Sequence, residues 1–288
     1  MNPTINPTMN PVQPRVDLHT HSHCSDGVLA PAALVALAAQ REVGLLALTD
    51  HDTVAGCEEA RAACRAHGVA FVPGVELSSV WREREIHVVG LKLDPSYPPF
   101  GAHCALLLEL RRQRVTAIGE RLQRAGLPGT QLAQEALAAA APTRAHLARG
   151  LCARGIAGSV QQAFDRWLRR GQPGYITAPW PPLASAVRCI VDAGGVAVLA
   201  HPQRYRVSSG GLAELLAEFK GAGGAGLEVS LPGMSPHDAS RLATLARRFE
   251  LAGSIGSDFH EPGVPWRPLG RFAKLPDRIT QIMDRLGL

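Results

Sequence analysis

The stretch Val16–Gly27, VDLHTHSHCSDG, begins as a β-rich run and ends in histidines at alternate positions. Alternate residues on an extended strand share a face, so His19 and His21 are placed to chelate one ion. Six more β-rich runs follow: Gly44–Leu48, Val69–Glu76, Glu85–Leu91, Val196–Ala200, Gly226–Val229 and Leu251–Gly256. Several, such as LLAL and VAVLA, are continuous apolar runs of the kind that parallel strands show when both faces are buried. Helical patterns separate them at Ala30–Val43, Gly56–His67, Pro182–Ala193, Leu212–Lys220 and Pro236–Phe249, with Pro31 suited to a first helical turn. Seven strands with intervening helices predict an α/β barrel or open sheet.

Residues 101–171 break the pattern. They carry helical periodicity without a strand signal, over Ala102–Ala125, Gln131–Ala140, Thr143–Arg154 and Val160–Arg170. The expected plan is a barrel from residues 15–100 and 172–288, with an all-α insert at 101–171. This insert holds eleven arginines against Glu109, Glu120, Glu135 and Asp165, a net +7, so the rest of the +5 chain is −2. A basic insert on a weakly acidic body suits an anionic substrate approached from one side.

Composition narrows the class. With 288 residues, 46% hydrophobic and 19% charged, the chain has an ordinary globular make-up and is neither disordered nor fibrous. No apolar run reaches the roughly 20 residues needed to cross a bilayer. Residues 1–14, MNPTINPTMNPVQP, lack a basic start and an apolar core; they read as a disordered lead-in and not a signal peptide. The six cysteines are scattered, which fits reduced thiols and a cytoplasmic location.

The decisive feature is what stands at the strand ends, where catalytic residues of α/β barrels converge. There lie His19, His21 and Asp26; His51 between Asp50 and Asp52; Glu76; His87; His201; and Asp258 with His260. Imidazoles with carboxylates suit Mn, Zn or Fe, and six histidines disfavour an all-oxygen Mg or Ca site. Nine candidates exceed one ion's coordination and imply two or three. His23, His67, His103 and His237 fall away from strand ends and read as ordinary surface histidines.

The successive segments DLHTHSHCSDG, LTDHDT, GVEL, EIHVVGL, AHP and SDFH, spanning residues 17–260, resemble the motifs of the polymerase and histidinol phosphatase (PHP) family of metal-dependent phosphoesterases. The resemblance implies a distorted (β/α)7 barrel and a trinuclear site. It assigns a first ion to His19, His21, Glu76 and Asp258, a second to Glu76, His87 and His201, and a third to Asp26, His51 and His260. Mn2+ is common in the family, and Zn2+ or Fe occur. The helical insert, PTRAHLAR (142–149) and HPQRY (201–205) are similar to a subgroup with two activities: removal of the 3′-phosphate from nucleoside 3′,5′-bisphosphates, and 5′–3′ degradation of short RNA.

Water held between two close ions is a nucleophile near neutral pH, and phosphoryl transfer needs positioning and charge stabilisation more than covalent help. The expected enzyme is therefore a phosphatase releasing nucleoside 5′-monophosphate by attack of metal-bridged hydroxide. Asp258, His201 and His260 remain open as the proton carrier. A second anion site is expected of Arg144 and Arg204, then His146 and Ser78, since guanidinium suits phosphate. Asp50, Asp52 and Glu228 are given supporting roles behind the ligands. Trp81, Tyr97, Trp180 and Tyr205 fall near the expected mouth, but none is assigned to a base. The substrate is expected to be a nucleoside bisphosphate or short 5′-phosphorylated RNA, with no membrane and no obligate protein partner. The alternatives are a histidinol-phosphatase-like phosphomonoesterase and, from another class, a polymerase accessory or metal-binding module.

Overall fold

A computed structural model of the chain describes residues 15–264, 266–276 and 278–288. The lead-in read at residues 1–14 lies outside them. Seven strands form one sheet in sequence order: β1 (Arg15–Asp17), β2 (Val43–Leu48), β3 (Ala70–Trp81), β4 (Arg84–Leu91), β5 (Val196–Leu199), β6 (Gly226–Ser230) and β7 (Ala252–Ile255). Neighbours run parallel except at β4, which is antiparallel to both β3 and β5. The two edges also meet. Past β1 the Leu18 N–H reaches Ile255 O (3.3 Å), the Asp258 N–H reaches His19 O (2.8 Å) and the His21 N–H reaches Phe259 O (2.9 Å). Those bonds curl the sheet onto itself, as a distorted seven-stranded barrel requires.

The barrel interior explains the closure. Leu18, Ala47, Val72, Val89, Leu91, Val198, Ala200 and Ala252 form one buried cluster. Ile282 of the short helix α10 (Ile282–Leu286) joins them and plugs the end away from the histidines. Fully burying each leucine, valine or isoleucine among them contributes about 1.5–3 kcal/mol. On the outside, α1 (Pro31–Gln40) and α2 (Cys57–His67) pack Leu34, Val35, Ala60 and Cys64 on Leu46 and Leu48 of β2. The helices α7 (Leu183–Asp192), α8 (Ser209–Gly221) and α9 (Pro236–Arg248) cover the other side, with Ser208 and Ser235 capping the last two.

Between β4 and α7 every regular element is helical: α3 (Pro98–Arg124), α4 (Gly129–Leu137), α5 (Arg144–Ala153) and α6 (Val160–Ala163), which passes into a π-helical turn at Phe164–Leu168. These build a cluster of their own around Ile118, Leu122, Leu132, Leu147, Leu151 and Leu168. A one-turn π segment is a common device at functional sites, and this one faces the cavity described below.

Two strand ends differ from the sequence reading. The regular first strand stops at Asp17, and beyond it the chain runs on between both neighbours, Thr20 O accepting from Thr49 N (2.9 Å) after β2 and His19 O from Asp258 N (2.8 Å) after β7. The third runs on to Trp81, making Glu76 a mid-strand residue. It pairs with β4 through a two-residue turn in which Arg82 and Glu83 both take positive φ (45° and 61°). Such a turn matches strand twist but is signalled by Asn-Gly or Asp-Gly, and neither stands at positions 82–83.

Candidate active site

At the end of the barrel opposite α10, all nine expected ligands converge, seven of them buried and His87 and His260 half-buried. Glu76, fully buried on β3, stands at the centre. Its Oε2 lies 3.3 Å from His19 Nε2, 3.2 Å from His21 Nε2 and 3.0 Å from His51 Nδ1. Its Oε1 faces the other way, 2.9 Å from His87 Nδ1 and 2.8 Å from His201 Nε2. Register explains this, since His87 on β4 pairs with Ser78, one step along the same face from Glu76. The carboxylate thus has the placement of a bridge.

The four atoms His19 Nε2, His21 Nε2, Glu76 Oε2 and Asp258 Oδ1 form a cage. Its recorded edges are 3.1, 3.3, 3.5, 3.2 and 3.3 Å. A tetrahedron of N and O donors at about 2.0–2.1 Å from an ion has edges of about 3.3 Å. A second group gathers His21, Asp26, His51 and His260, and a third gathers His51, Glu76 and His87. The groups overlap: the cage and the second share His21, the second and third share His51, and the cage and the third share Glu76, while His201 contacts Glu76 beside His87.

Hydrogen bonds turn these rings toward the cage. The Glu228 carboxylate, 2.7 Å from His19 Nδ1, can only accept, so Nδ1 carries a proton and Nε2 is the atom turned into the cage. His260 Nδ1 likewise donates to the Asp258 carbonyl at 2.9 Å, leaving Nε2 3.2 Å from Asp26 Oδ1. Asp26 Oδ1, Glu76 Oε2 and His51 Nδ1 are buried with no hydrogen-bond partner, and such orphaned acceptors are costly unless something electropositive sits between them. The donor set fits divalent transition-metal ions. Burial alone would raise the Glu76 carboxyl, but His51, His87 and His19 outweigh it and hold it well below the usual range. For Asp258, burial is outweighed by Arg204 and His260. His201 is held below its ordinary value, mainly by burial. His201 and Asp258 also adopt left-handed backbone (φ 30° and 50°), strain of a kind that clusters at functional sites.

The supporting carboxylates are placed behind this cluster. Asp50 accepts from Ser22 N, Ser22 Oγ and Ser25 Oγ (2.6–2.8 Å) and so holds the loop after His21. Asp52 accepts from Ser78 N (2.7 Å) and Arg111 Nε (2.5 Å). Glu228 also accepts the His201 backbone N–H.

The cluster floors a cavity of about 580 Å3. Arg144 and Arg204 line it, as do Arg149, Phe164, Tyr205 and Trp266. Arg144, the first residue of α5, donates to Glu85 Oε2 at 3.2 Å and stacks over Phe164 at 5.9 Å. Arg204 donates to Asp258 Oδ2, the oxygen not in the cage. Ser78 and His146 do not line the cavity. Ser78 is fully buried with its Oγ accepting from Arg111, and His146 Nδ1 accepts the Thr143 N–H in a capping box. Trp81 and Trp180 are core residues, whereas Tyr205 hydrogen-bonds the His87 backbone. Of the four histidines set aside, His103 is half-buried and its Nε2 has no partner.

Sequence reading missed Glu85, Thr143 and Trp266. Glu85 lies two residues before His87, the alternation that paired His19 with His21, so its signal was present; it takes Arg114 bidentately at 2.9 Å on both oxygens. Trp266, 65% exposed at the mouth, stands in a loop without periodicity.

Residues 17–169 match the PHP domain model. The 5′-3′ exoribonuclease Rnm of Escherichia coli is 44% identical over 90% of this chain and 89% of its own. The 3′,5′-nucleoside bisphosphate phosphatase of Chromobacterium violaceum is 39% identical over 91% of this chain and 92% of its own. A solved Chromobacterium violaceum structure, named an amidohydrolase and holding sulfate but no metal, superposes with a TM-score of 0.90 at 38% identity, covering 95% of this chain and 96% of that one. With this fold, this constellation and relatives of this extent, the chain belongs to the PHP family and is a phosphoric-ester hydrolase.

Proposed function

We propose that the protein is a Mn2+-dependent phosphatase that removes the 3′-phosphate of nucleoside 3′,5′-bisphosphates, and that the same site takes 5′-nucleotides from short 5′-phosphorylated RNA. The observation that carries this reading is one cavity holding both the Glu76-centred cluster and a cationic wall from the insert. His19, His21, Glu76 and Asp258 would hold one ion, Glu76, His51, His87 and His201 would serve a second, and Asp26, His51 and His260 a third. Bound ions supply Lewis-acid charge and a water acidic enough to react near neutral pH.

The chain's own groups do the rest. Arg144 exchanges Glu85 for the substrate's 5′-phosphate, a charge-assisted bond that fixes which phosphate meets the cluster. Glu85 stays neutralised by Arg114 when Arg144 leaves it. Arg204 steadies Asp258 and presents positive charge at the cavity wall. His201 and His260 line the cavity as ligands: His201 Nε2 faces Glu76, and His260 Nδ1 is spent on the Asp258 carbonyl, so both rings serve the ions and not the proton of the leaving oxygen. Relatives named for bisphosphate phosphatase and exoribonuclease activity support both substrates, which share a 5′-phosphate and a scissile 3′-linked phosphate.

The test is phosphate or nucleotide release from adenosine 3′,5′-bisphosphate, a 5′-phosphorylated RNA dinucleotide and histidinol phosphate, with Mn2+ added to chelated protein. The reading expects the first two to turn over and 5′-hydroxyl RNA to be poor. Turnover of histidinol phosphate alone would replace it with a small-molecule phosphomonoesterase.

A further inference from the structure

Asp26 is held by the helical insert and not by the barrel that carries its partners. It follows β1 in a loop and is 5% exposed. Its carboxylate oxygens have different surroundings. Oδ1 accepts no hydrogen bond and lies 3.2 Å from His260 Nε2 and 3.8 Å from His51 Nε2. Oδ2 accepts from Thr143 Oγ1 at 2.9 Å. Among the described residues no other hydrogen bond reaches this carboxylate.

Thr143 has one hydroxyl proton, and its neighbours leave that proton a single destination. The oxygen accepts the Ala145 N–H at 3.0 Å as the N-cap of α5. His146 Nδ1, 3.3 Å from the hydroxyl, already accepts the Thr143 backbone N–H at 3.1 Å. A carboxylate can only accept, so the proton goes to Asp26. From the same helix, Arg149 donates to the Asp26 backbone carbonyl. Two contacts from α5 therefore fix both the main chain and the rotation of one carboxylate.

We propose that Thr143, backed by Arg149, is a positioning residue for Asp26: it ties down Oδ2 so that Oδ1 faces His51 and His260, and the insert thereby completes a ligand set otherwise built on the barrel. This rests on the metal reading of the cluster. It gives His146, expected from sequence to touch substrate, the task of orienting Thr143. Partners behind a metal ligand typically change metal affinity 10–100-fold when lost, about what one freed carboxylate rotor would cause.

The experiment is Mn2+ binding to chelated protein, counting bound metal per chain against free Mn2+, for wild type, Thr143→Val, Thr143→Ser and Asp26→Asn. Valine keeps the shape and removes the donor; serine keeps the donor. The expected result is that Thr143→Val weakens, by about 10–100-fold, the same class of ion that Asp26→Asn loses. The remaining ions stay bound and Thr143→Ser behaves as wild type. Unchanged binding in Thr143→Val, parallel weakening of every class, or a serine variant that behaves like valine would overturn the proposal. If the valine variant does not fold, Arg149→Met should weaken that same class, and unchanged affinity there overturns it. Wild-type protein that binds no Mn2+ would instead defeat the metal reading itself.

Discussion

Glu76 joins the whole cluster, because its two oxygens serve different histidines. Glu76→Gln keeps the shape, removes the charge and replaces one acceptor oxygen with a donor. It is expected to lower phosphate release about 1,000-fold or more, several kcal/mol of lost charge stabilisation, with the fold intact by circular dichroism. Arg144 sits on the substrate side. Arg144→Ala should raise KM for the bisphosphate about 10–100-fold, the worth of a charge-assisted hydrogen bond, while leaving bound metal unchanged. A parallel loss of metal would make Arg144 structural. The thiols are bystanders: burial pushes Cys57 and Cys64 up to about 11. At pH 8 only roughly one in a thousand would be thiolate, so native protein should resist iodoacetamide at both positions, with labelling rising as pH approaches 11.

Close contacts between elements set the ligand geometry. Gly256, just past β7, leaves no space for a side chain: an added Cβ would lie 2.3 Å from His19 Cβ and 2.9 Å from its backbone nitrogen. Gly256→Ala must push His19 out of the cage, and the expected outcome is weaker metal binding together with a lower melting temperature. Unchanged metal affinity would mean that the β1–β7 junction yields without moving the ring. This junction also marks where the sequence was legible. The His-x-His and Asp-x-His alternations announced which side chains share a face, and apolar runs announced the strands. The sequence did not announce the β3–β4 turn at Arg82 and Glu83, since tertiary pairing and not local propensity imposes that conformation. Thr143 was invisible for the same reason. Its distance along the chain from Asp26 is 117 residues, and only the docked insert brings them together.

For the molecule as a whole, folding concentrates six histidines and three carboxylates in one buried end of a barrel whose other end is sealed by Ile282. Ions that bind only this folded arrangement must stabilise it, by about 2.7 kcal/mol for each site at a hundredfold excess over Kd. Chelation should therefore lower the melting temperature and added Mn2+ restore it, whereas a melting temperature indifferent to chelator would speak against preformed sites. No helix among the described residues is long and apolar enough to cross a membrane. The most direct test is anomalous diffraction at the manganese edge from crystals soaked in Mn2+. We expect separate peaks on the two sides of the Glu76 carboxylate, one inside the His19–His21–Asp258 cage. Well-ordered crystals with no anomalous density at these side chains would contradict a polynuclear metal centre.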